Sequence, residues 1–562
     1  MKKKNTIVIA ALILVVVAVV TFAGIYLTRN LGKSTKVISE ENAMSRLTKM
    51  VDSIDSKTAK PIKSSVEYSD EDDLASELPD IDTCDVTAKS TTSLYAEIYS
   101  SPEKAGSGND GWLVEMAEEF NNAGYTVDGD PVSVQIRKVN SGQALDYISS
   151  EKAVPDGFAP SNKLWVDMLA ARGIQSEVIT ERMAGNVAGI VLSNETYASI
   201  TDKYGAVDLK AITEATAAGE FTMGYTNPFA SSAGLNFLMC TLERYDSADP
   251  LSETAIQGFQ QFQQNVPFVA LTTMQMREAA ANGTLDGFIM EYQSFQNDSS
   301  LTRNYKFTAF GYRHDNPLVS LDSTSSEKKE ILRMFADFCS SDEAQQSAGQ
   351  FGFNGLNDYI CEYPEVTGDV LIDAQKLYKE NKDTGKQIIC VFVTDTSGSM
   401  EGEPMQALKD SLVNSMRYIN AKHYIGMVSY NSSVTIEVPI AQFDLNQQTL
   451  FKGAAESLNA VGGTATFDAI CVGMQMLQEA MEDYPDAKPM LFVLSDGETN
   501  EGYMLNDVSE VISGLQIPIY TIGYNADLEA LKKISSINEA ASIDASTEDV
   551  VYQLKNLFNA SM

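Results

Sequence analysis

Five oxygen-bearing side chains in the last third of the chain have the types and the order of a metal site. Asp395, Ser397 and Ser399 alternate in the segment DTSGS, directly after an apolar run. Thr464 closes a Gly-Gly-Thr turn, and Asp496 follows a second apolar run. Two carboxylates and three hydroxyls offer only oxygen, which suits a hard cation such as Mg²⁺ and does not suit zinc or copper.

The two apolar runs, 388–394 and 490–494, explain how such distant residues could meet. Each run is continuous rather than alternating, which is typical of a parallel strand buried on both faces. Ligands of a doubly wound sheet sit outside the carboxyl ends of its strands, so Asp395 and Asp496 are expected at the same edge. Hydroxyls carry less negative charge than carboxylates, so a cation held this way keeps an affinity for one further acid. The sequence therefore predicts adhesion in which the cation accepts a carboxylate from a protein or peptide partner.

The remainder of 386–562 alternates strand-like and helix-like segments. We therefore predict a doubly wound parallel α/β sheet for this domain. Further strands are predicted at 424–430, 434–438 and 518–522. Helices are predicted from Pro404, after Thr464, at 528–534 and at 549–558.

These residues match the pattern of the von Willebrand factor A (VWA) family, D-x-S-x-S followed by a distant Thr and a distant Asp. The segment 387–562 resembles that family, with its Rossmann-like fold, over the whole length. The resemblance implies a metal-ion-dependent adhesion site (MIDAS) that holds Mg²⁺, or another hard divalent cation such as Mn²⁺ or Ca²⁺. An aspartyl-phosphate phosphatase is the enzymatic alternative, but it would need a second carboxylate where Ser397 stands. The implied MIDAS residues are Asp395, Ser397, Ser399, Thr464 and Asp496.

The segment 91–385 contains three strand-to-helix turns that are rich in Ser, Asn and Gly. Their serines include Ser101, Ser141, Ser231 and Ser232. Free backbone N–H groups and the positive end of a helix could bind a small polar or anionic solute at such turns. For any single serine, an ordinary helix N-cap is the simpler interpretation.

Taken in order, these segments resemble the two-lobed bacterial extracellular solute-binding proteins. The resemblance covers about 94–385 and implies a cleft between two lobes, with hinges near 185–190 and 290–296. Its segments are the SSP turn at 100–102, NSGQ at 140–143, PDGFAPSNKLW at 155–165, GYTNPFASSAG at 224–234 and DGFIMEYQS at 286–294. The implied cleft residues are Ser101, Ser141, Ser231, Ser232 and Tyr292.

The N-terminus predicts a membrane anchor. Three lysines precede an apolar run from Ile7 to Leu27, which as a helix would span about 31 Å, the thickness of the hydrocarbon core. The lysines place the N-terminus in the cytoplasm and the rest of the chain outside. A cleaved signal peptide is the alternative, although its apolar region is usually shorter. The predicted organisation is an anchor at 1–30, a flexible acidic and polar stalk at 31–90, a solute-binding-like domain at 91–385 and a VWA domain at 386–562.

Charge and composition exclude several other functions. The chain has 41 Lys and Arg against 77 Asp and Glu, a net charge of −36, which repels nucleic acid. Only His314 and His423 are present, too few for a multi-histidine zinc site and little for a Ser-His-Asp centre. The six cysteines form no C-x-x-C pair, and a bridge between Cys339 and Cys361 stays open. No base and nucleophile stand at a recognisable spacing, so we predict that the protein is not an enzyme.

The leading hypothesis is a single-pass membrane protein of a bacterium with its bulk outside the cell. Its VWA domain would engage a protein or peptide through Mg²⁺, and its middle domain would hold a solute. The alternative hypothesis is a tethered solute receptor of a transport or sensing system, in which the VWA domain docks the partner complex.

Overall fold

A computed structural model describes residues 38–66, 78–266, 268–270, 276–277, 285–382, 387–416, 419–497, 499–524, 528–535 and 542–544. Three predicted features lie outside these residues: the apolar run 7–27, the acidic block 67–73 and the helix 549–558. Within the described part of the chain, no helix is both long enough and apolar enough to span a bilayer.

The described strands fall into three sheets. In chain order they are β1 (Ser56–Thr58), β2 (Val86–Ala88), β3 (Leu94–Ser100), β4 (Thr126–Val127), β5 (Asp130–Lys138), β6 (Gly157–Ala159), β7 (Ser176–Thr180), β8 (Val187–Ser193), β9 (Met223–Thr226), β10 (Phe268–Ala270), β11 (Gly287–Glu291), β12 (Tyr305–Arg313), β13 (Leu318–Leu321), β14 (Ile388–Asp395), β15 (Tyr424–Tyr430), β16 (Val434–Gln442), β17 (Lys488–Ser495), β18 (Ile519–Gly523) and β19 (Ser542–Asp544).

Helices alternate with these strands along most of the chain. Several begin where a Ser or Asp side chain accepts a backbone N–H of the first turn, as at Ser231, Ser325 and Asp444. In chain order they are α1 (Glu40–Val51), α2 (Pro102–Ala105), α3 (Trp112–Asn122), α4 (Ser141–Ser149), α5 (Leu164–Ala171), α6 (Asn194–Tyr204), α7 (Leu209–Ala217), α8 (Ser232–Tyr245), α9 (Glu253–Gln263), α10 (Tyr292–Asn297), α11 (Ser299–Asn304), α12 (Ser326–Cys339), α13 (Asp342–Gln350), α14 (Gly368–Asn381), α15 (Glu403–Ser415), α16 (Leu445–Ser457), α17 (Thr466–Asp483), α18 (Leu505–Leu515) and α19 (Leu528–Ser535).

The middle of the chain forms two lobes, each built on one sheet. The first sheet has the order β2-β5-β3-β6-β13-β7 with β4 paired to β5, and the second has the order β10-β9-β11-β8-β12. The chain crosses between them at 181–186 and returns at 314–317, and the crossings bond to each other where His314 N–H donates to the Asn186 carbonyl (2.9 Å). The predicted hinge at 290–296 is therefore misplaced, because that stretch ends β11 and begins α10 inside the second lobe.

The C-terminal sheet has the order β1-β16-β15-β14-β17-β18-β19. Every strand predicted in 386–524 is present, and β14, β15, β17, β18 and β19 run parallel. The sheet is mixed rather than wholly parallel, since β16 runs antiparallel to β15. The physical reason is the three-residue connection 431–433, which is too short for a parallel crossover. Helices cover both faces, with Phe392 in the core of one face and Val391 in the core of the other.

The segment predicted as a flexible stalk is largely folded. Helix α1 packs against α17 and α18 through buried Ala43, Leu47 and Met50, and β1 extends the C-terminal sheet by pairing with β16. Strand β2 pairs instead with β5 of the first lobe. The expectation of a stalk over 31–90 therefore fails for 38–66 and 78–90. The polar composition of this segment does not indicate the folded helix, because three apolar residues at helical spacing suffice to bury one face of a polar helix.

All six cysteines are free thiols, so the open Cys339–Cys361 bridge is not formed. Cys339 is the last residue of α12 and is buried in the first lobe, whereas the Cys361 thiol donates to the Tyr363 carbonyl. Cys390 and Cys471 are buried in the C-terminal core, and burial raises the pKa of the Cys471 thiol to about 12.

Candidate functional site

Asp395 stands at the carboxyl end of β14, the central strand of the C-terminal sheet, and is fully buried. Three groups fix its carboxylate. The Ser397 backbone N–H donates to Oδ1 (2.8 Å), while the hydroxyls of Ser495 and Tyr430 donate to Oδ2 at 2.6 and 3.2 Å. A buried carboxylate is tolerated only with such donors. Its orientation is therefore fixed before any cation or partner binds.

A chain of short contacts links the first loop to the end of the neighbouring strand. Ser397 Oγ lies 3.0 Å from Ser399 Oγ, and Ser399 Oγ donates to Asp496 Oδ1 at 2.9 Å. Asp496 follows β17, which pairs directly with β14. Burial raises the pKa of the Asp496 carboxyl, and the nearby Asp395 carboxylate raises it further. The two aspartates predicted to meet at one edge of the sheet do so.

The third predicted segment is held beside the first by backbone hydrogen bonds. Gly398 N–H donates to the Gly462 carbonyl at 3.0 Å, two residues before Thr464. Thr464 is itself pinned on both sides, because its N–H donates to Asn500 Oδ1 (2.9 Å) and its carbonyl accepts from Asn500 N–H (3.0 Å). The loops after β14 and β17 and the loop before α17 thus form one rim.

The donor set of this rim fits a hard divalent cation. The groups that converge are carboxylate and hydroxyl oxygens, the ligands that Mg²⁺, Mn²⁺ and Ca²⁺ prefer. Among the described residues, no group of three or more His, Cys, Asp or Glu could hold a metal, so a site relying on imidazole, thiolate or carboxylate alone is not found there. The cluster at Asp395 differs from such sites because serine hydroxyls take the place of further acids.

Sequence reasoning missed two residues of this cluster. Tyr430 ends β15 and Ser495 ends β17, and both donate to the same oxygen of Asp395. Burial raises the pKa of the Tyr430 hydroxyl, and the Asp395 carboxylate adds to the effect. Ser495 could have been found, because it is the polar residue that ends the apolar run before Asp496. Tyr430 carries no such signal.

The predicted solute residues separate into three groups. Ser101 and Ser141 of the first lobe are buried where the two lobes meet, and Ser232 of the second lobe donates to Ser141 Oγ at 3.4 Å. Ser231 caps α8, as the simpler interpretation of the serines expects. Tyr292 packs elsewhere, edge-on to Phe307 within the second lobe.

A buried lysine stands beside these serines, and no local sequence pattern indicates it. Lys104 has no exposed surface and donates to Ser101 Oγ (2.9 Å), which in turn lies 2.8 Å from Ser161 Oγ. Burial lowers the pKa of Lys104 to about 8, against the opposing effect of Glu103 and Glu291. A buried ammonium with a hydroxyl partner favours an anionic neighbour.

The second lobe supplies its own buried polar groups to the same region. His314 Nδ1 lies 2.8 Å from Glu291 Oε1, and its Nε2 lies 3.3 Å from the amide nitrogen of Asn162, which belongs to the first lobe. The Asn162 amide nitrogen also donates to the Ser232 carbonyl (3.3 Å), but its Oδ1 is buried without a hydrogen-bond partner. The sequence analysis uses His314 only to exclude a multi-histidine zinc site and does not predict its place here.

Comparison with known families divides the chain in the same way. Residues 390–560 match the von Willebrand factor type A domain, and residues 105–354 match the bacterial extracellular solute-binding protein family. The chain thus carries a VWA-like domain at its C-terminal end and a solute-binding-protein-like domain before it.

Individual relatives match only parts of the chain. Inter-alpha-trypsin inhibitor heavy chain H4 of Sus scrofa is 30% identical over 146 residues, 25% of this chain and 16% of the relative, and the Homo sapiens protein is 26% identical over 150 residues with the same coverage. The chain thus spans about a sixth of the length of these curated relatives.

Two solved structures are similar at low sequence identity. A von Willebrand factor type A protein from Catenulispora acidiphila is 19% identical, covering 31% of this chain and 42% of that one, with a TM-score of 0.28. Iron-bound HitA from Pseudomonas aeruginosa is 14% identical, covering 52% of this chain and 99% of that one, with a TM-score of 0.38.

Proposed function

We propose that this protein is an extracellular adhesion or binding protein that engages a carboxylate of a protein or peptide partner through a divalent cation. One observation carries the proposal. Asp395, Ser397, Ser399 and Asp496 are joined by a continuous series of hydrogen bonds at one edge of the sheet, next to the loop of Thr464. The two matched families, VWA and bacterial solute-binding protein, are both binding modules.

The cation, Mg²⁺ or a similar hard ion, would supply a positive charge that attracts a partner's carboxylate. Asp395, Asp496 and the hydroxyls of Ser397, Ser399 and Thr464 would hold it. Tyr430 and Ser495 orient Asp395, so its carboxylate need not reorganise on binding. Because Ser397 and Ser399 are neutral, the protein neutralises the cation only in part, and the partner's acid completes the neutralisation. Ser399 is exposed, which leaves the outer side of the site open to a partner.

The proposed location is the outer face of a cell membrane, with the N-terminal apolar run as a single-pass anchor. The support is the sequence alone: a run of 21 apolar or weakly polar residues behind three lysines. A location of most of the chain outside the cell agrees with the match of residues 105–354 to a family of extracellular solute-binding proteins.

Metal binding is tested by isothermal titration of the full chain, purified in detergent, with MgCl₂. We expect one site, weakened at least tenfold by Ser399→Ala and abolished by Asp395→Ala. Asp410→Ala, which removes a carboxylate from α15, is the control and should bind as the unaltered chain does. Asp395 is buried, so its variant is first checked by thermal melting; Ser399 is exposed and its variant should keep the fold. Flat heats for the unaltered chain would refute the metal site.

The alternative, a tethered receptor for a small solute, is favoured by one observation of its own. Both lobes turn buried polar groups toward each other, among them Lys104 and the unpartnered Asn162 Oδ1 of the first lobe and His314 of the second. The solute would be anionic, because Lys104 is the buried cation there. Native mass spectrometry of the full chain should detect a retained small molecule, and Lys104→Met should release it while Lys163→Met, at an exposed lysine, should not. If nothing is retained and a panel of anions gives no thermal shift, the receptor hypothesis fails.

A further inference from the structure

A third carboxylate stands at the rim of the Asp395 site. A Cβ added to Gly463 would lie 2.4 Å from Glu501 Oε1 and 2.8 Å from Oε2, so the Glu501 carboxylate occupies space that only a glycine leaves free. Glu501 N–H donates to the Thr464 carbonyl at 3.2 Å, which fixes its backbone next to the site. The side chain is exposed. It is therefore close to the site and available to a partner.

An exposed apolar side chain lies in the same loop. Val461 is 61% exposed, and its N–H donates at 2.8 Å to the carbonyl of Thr396, the residue between the aspartate and the first serine of the site. The next residue, Gly462, accepts the N–H of Gly398. Val461 is thus fixed in place although its side chain faces water. A fixed, exposed valine is a small apolar contact for a bound segment.

The charge of the rim is entirely negative. The three loops 395–402, 458–464 and 496–504 contain no lysine or arginine. Their carboxylates are Asp395, Glu401, Asp496, Glu498 and Glu501. A partner's acid that approaches this rim is attracted by the cation but repelled by the outer carboxylates, of which Glu401 and Glu501 are exposed. A positive charge beside that acid would relieve the repulsion.

We infer that the rim takes a peptide segment in which the acidic residue has a Lys or Arg neighbour for Glu501 and an apolar neighbour for Val461. This inference rests on the proposed function and adds to it the chemistry of the partner. Glu501 determines specificity rather than metal binding. Its pairing with a basic residue is exposed, so it contributes modestly to affinity and more to the choice of partner and the rate of association.

The test is selection of displayed peptides, randomised around one fixed Asp, on the full chain in MgCl₂, with an EDTA arm. We expect Mg²⁺-dependent peptides enriched in Lys or Arg within two or three positions of the Asp, with an apolar residue on the other side. A synthesised winner should bind Glu501→Gln about threefold to fivefold more weakly, with a smaller dependence on salt. Val461→Ser should weaken the same peptide without changing the salt dependence.

Glu482→Gln is the matched control. It makes the same charge change at the far end of α17, about 24 Å from the start of that helix, and should leave peptide binding unchanged. Mg²⁺-dependent peptides without a basic preference, or an unchanged affinity in Glu501→Gln, would overturn the inference and leave the proposed function standing. If no peptide is enriched in a Mg²⁺-dependent way although titration shows the metal bound, the proposed function and the inference both fail.

Discussion

Ser399 and Asp496 are 97 positions apart in the sequence, yet the serine hydroxyl donates to the aspartate carboxylate at 2.9 Å. Parallel pairing of β14 with β17 makes this possible, because it brings the loops that follow the two strands to the same edge. Ser399 is not among the groups that donate to the buried Asp395, so removing its hydroxyl tests the organisation of the site without removing a donor of that carboxylate.

Tyr430→Phe should destabilise the C-terminal domain by about 1 kcal/mol, the usual effect of removing one donor from a buried acceptor. Asp395 keeps the Ser495 hydroxyl and the Ser397 N–H as donors, so the domain should still fold. Chemical denaturation measures the change. Tyr503→Phe is the control, because its hydroxyl meets Ser53 at the surface and its loss should cost less than about half as much. Equal effects of the two changes would show that Asp395 does not depend on Tyr430.

Leu47→Ala should lower the stability of the C-terminal domain by about 2–4 kcal/mol, because Leu47 is fully buried where α1 packs on the sheet's helices. A flexible stalk would predict no change. Leu445→Ala, at a leucine that is 63% exposed, is the matched control and should have little effect. Thermal melting of the full chain, monitored through a spectroscopic signal that reports on the C-terminal domain, distinguishes a packed helix from a flexible stalk.

The lobes should be coupled through a partly buried ion pair. Arg277 of the second lobe donates to both carboxylate oxygens of Asp110 in the first, at 2.9 and 2.8 Å, and also to Ser294 Oγ at 2.6 Å. A double-mutant cycle of Arg277→Gln and Asp110→Asn should give a coupling free energy of about 1–3 kcal/mol. The exposed pair of Lys376 and Asp373 should give less than about 0.5 kcal/mol. A coupling no larger than that of the control would mean that the pair does not hold the lobes together.

The stability of the middle domain should fall as the pH rises from about 4.5 to 7. Burial raises the pKa of Glu243 to about 7, against the opposing hydrogen bond from Tyr312, so the folded state binds its proton more tightly than the unfolded state does. This contribution is fully present below the unfolded pKa and is lost as the pH passes the folded one. Over that interval the loss is on the order of 2 kcal/mol.

Glu243→Gln should flatten this part of the pH profile. Glu253→Gln, which changes an exposed carboxyl at the start of α9, serves as the control. Thermal melting between pH 4 and pH 8 measures both. A profile that keeps its slope in Glu243→Gln would assign the pH dependence to other groups.

Much of the C-terminal domain follows from the sequence. Continuous apolar runs at 388–394 and 490–494 are strong signals because few other structures bury both faces of a segment. Their ends place Asp395 and Asp496 at one edge without further information. The direction in which strands pair was harder to predict from the sequence. The antiparallel direction of β16 follows from the length of the turn before it and not from the residues of the strand itself.

The middle domain was harder to anticipate because its buried polar groups depend on long-range packing. Nothing local distinguishes Lys104 from an exposed lysine; only its position at the meeting of two lobes buries it. The same applies to α1, whose partner helix α18 lies more than 450 residues away in the sequence. Tyr292 was selected from a family resemblance, and the side chain faces a phenylalanine instead of the serines.

The pairing of β1 with β16 means that the C-terminal domain is not continuous in sequence. Its first strand and helix are synthesised before the two lobes, and its remaining strands after them. A fragment that starts at residue 387 would therefore lack an edge strand and would expose the surface that Leu47 covers. Folding of the complete C-terminal domain must wait for the whole intervening polypeptide to leave the ribosome. The lobes, for their part, are tethered at both termini to a single neighbour, as a loop insertion is.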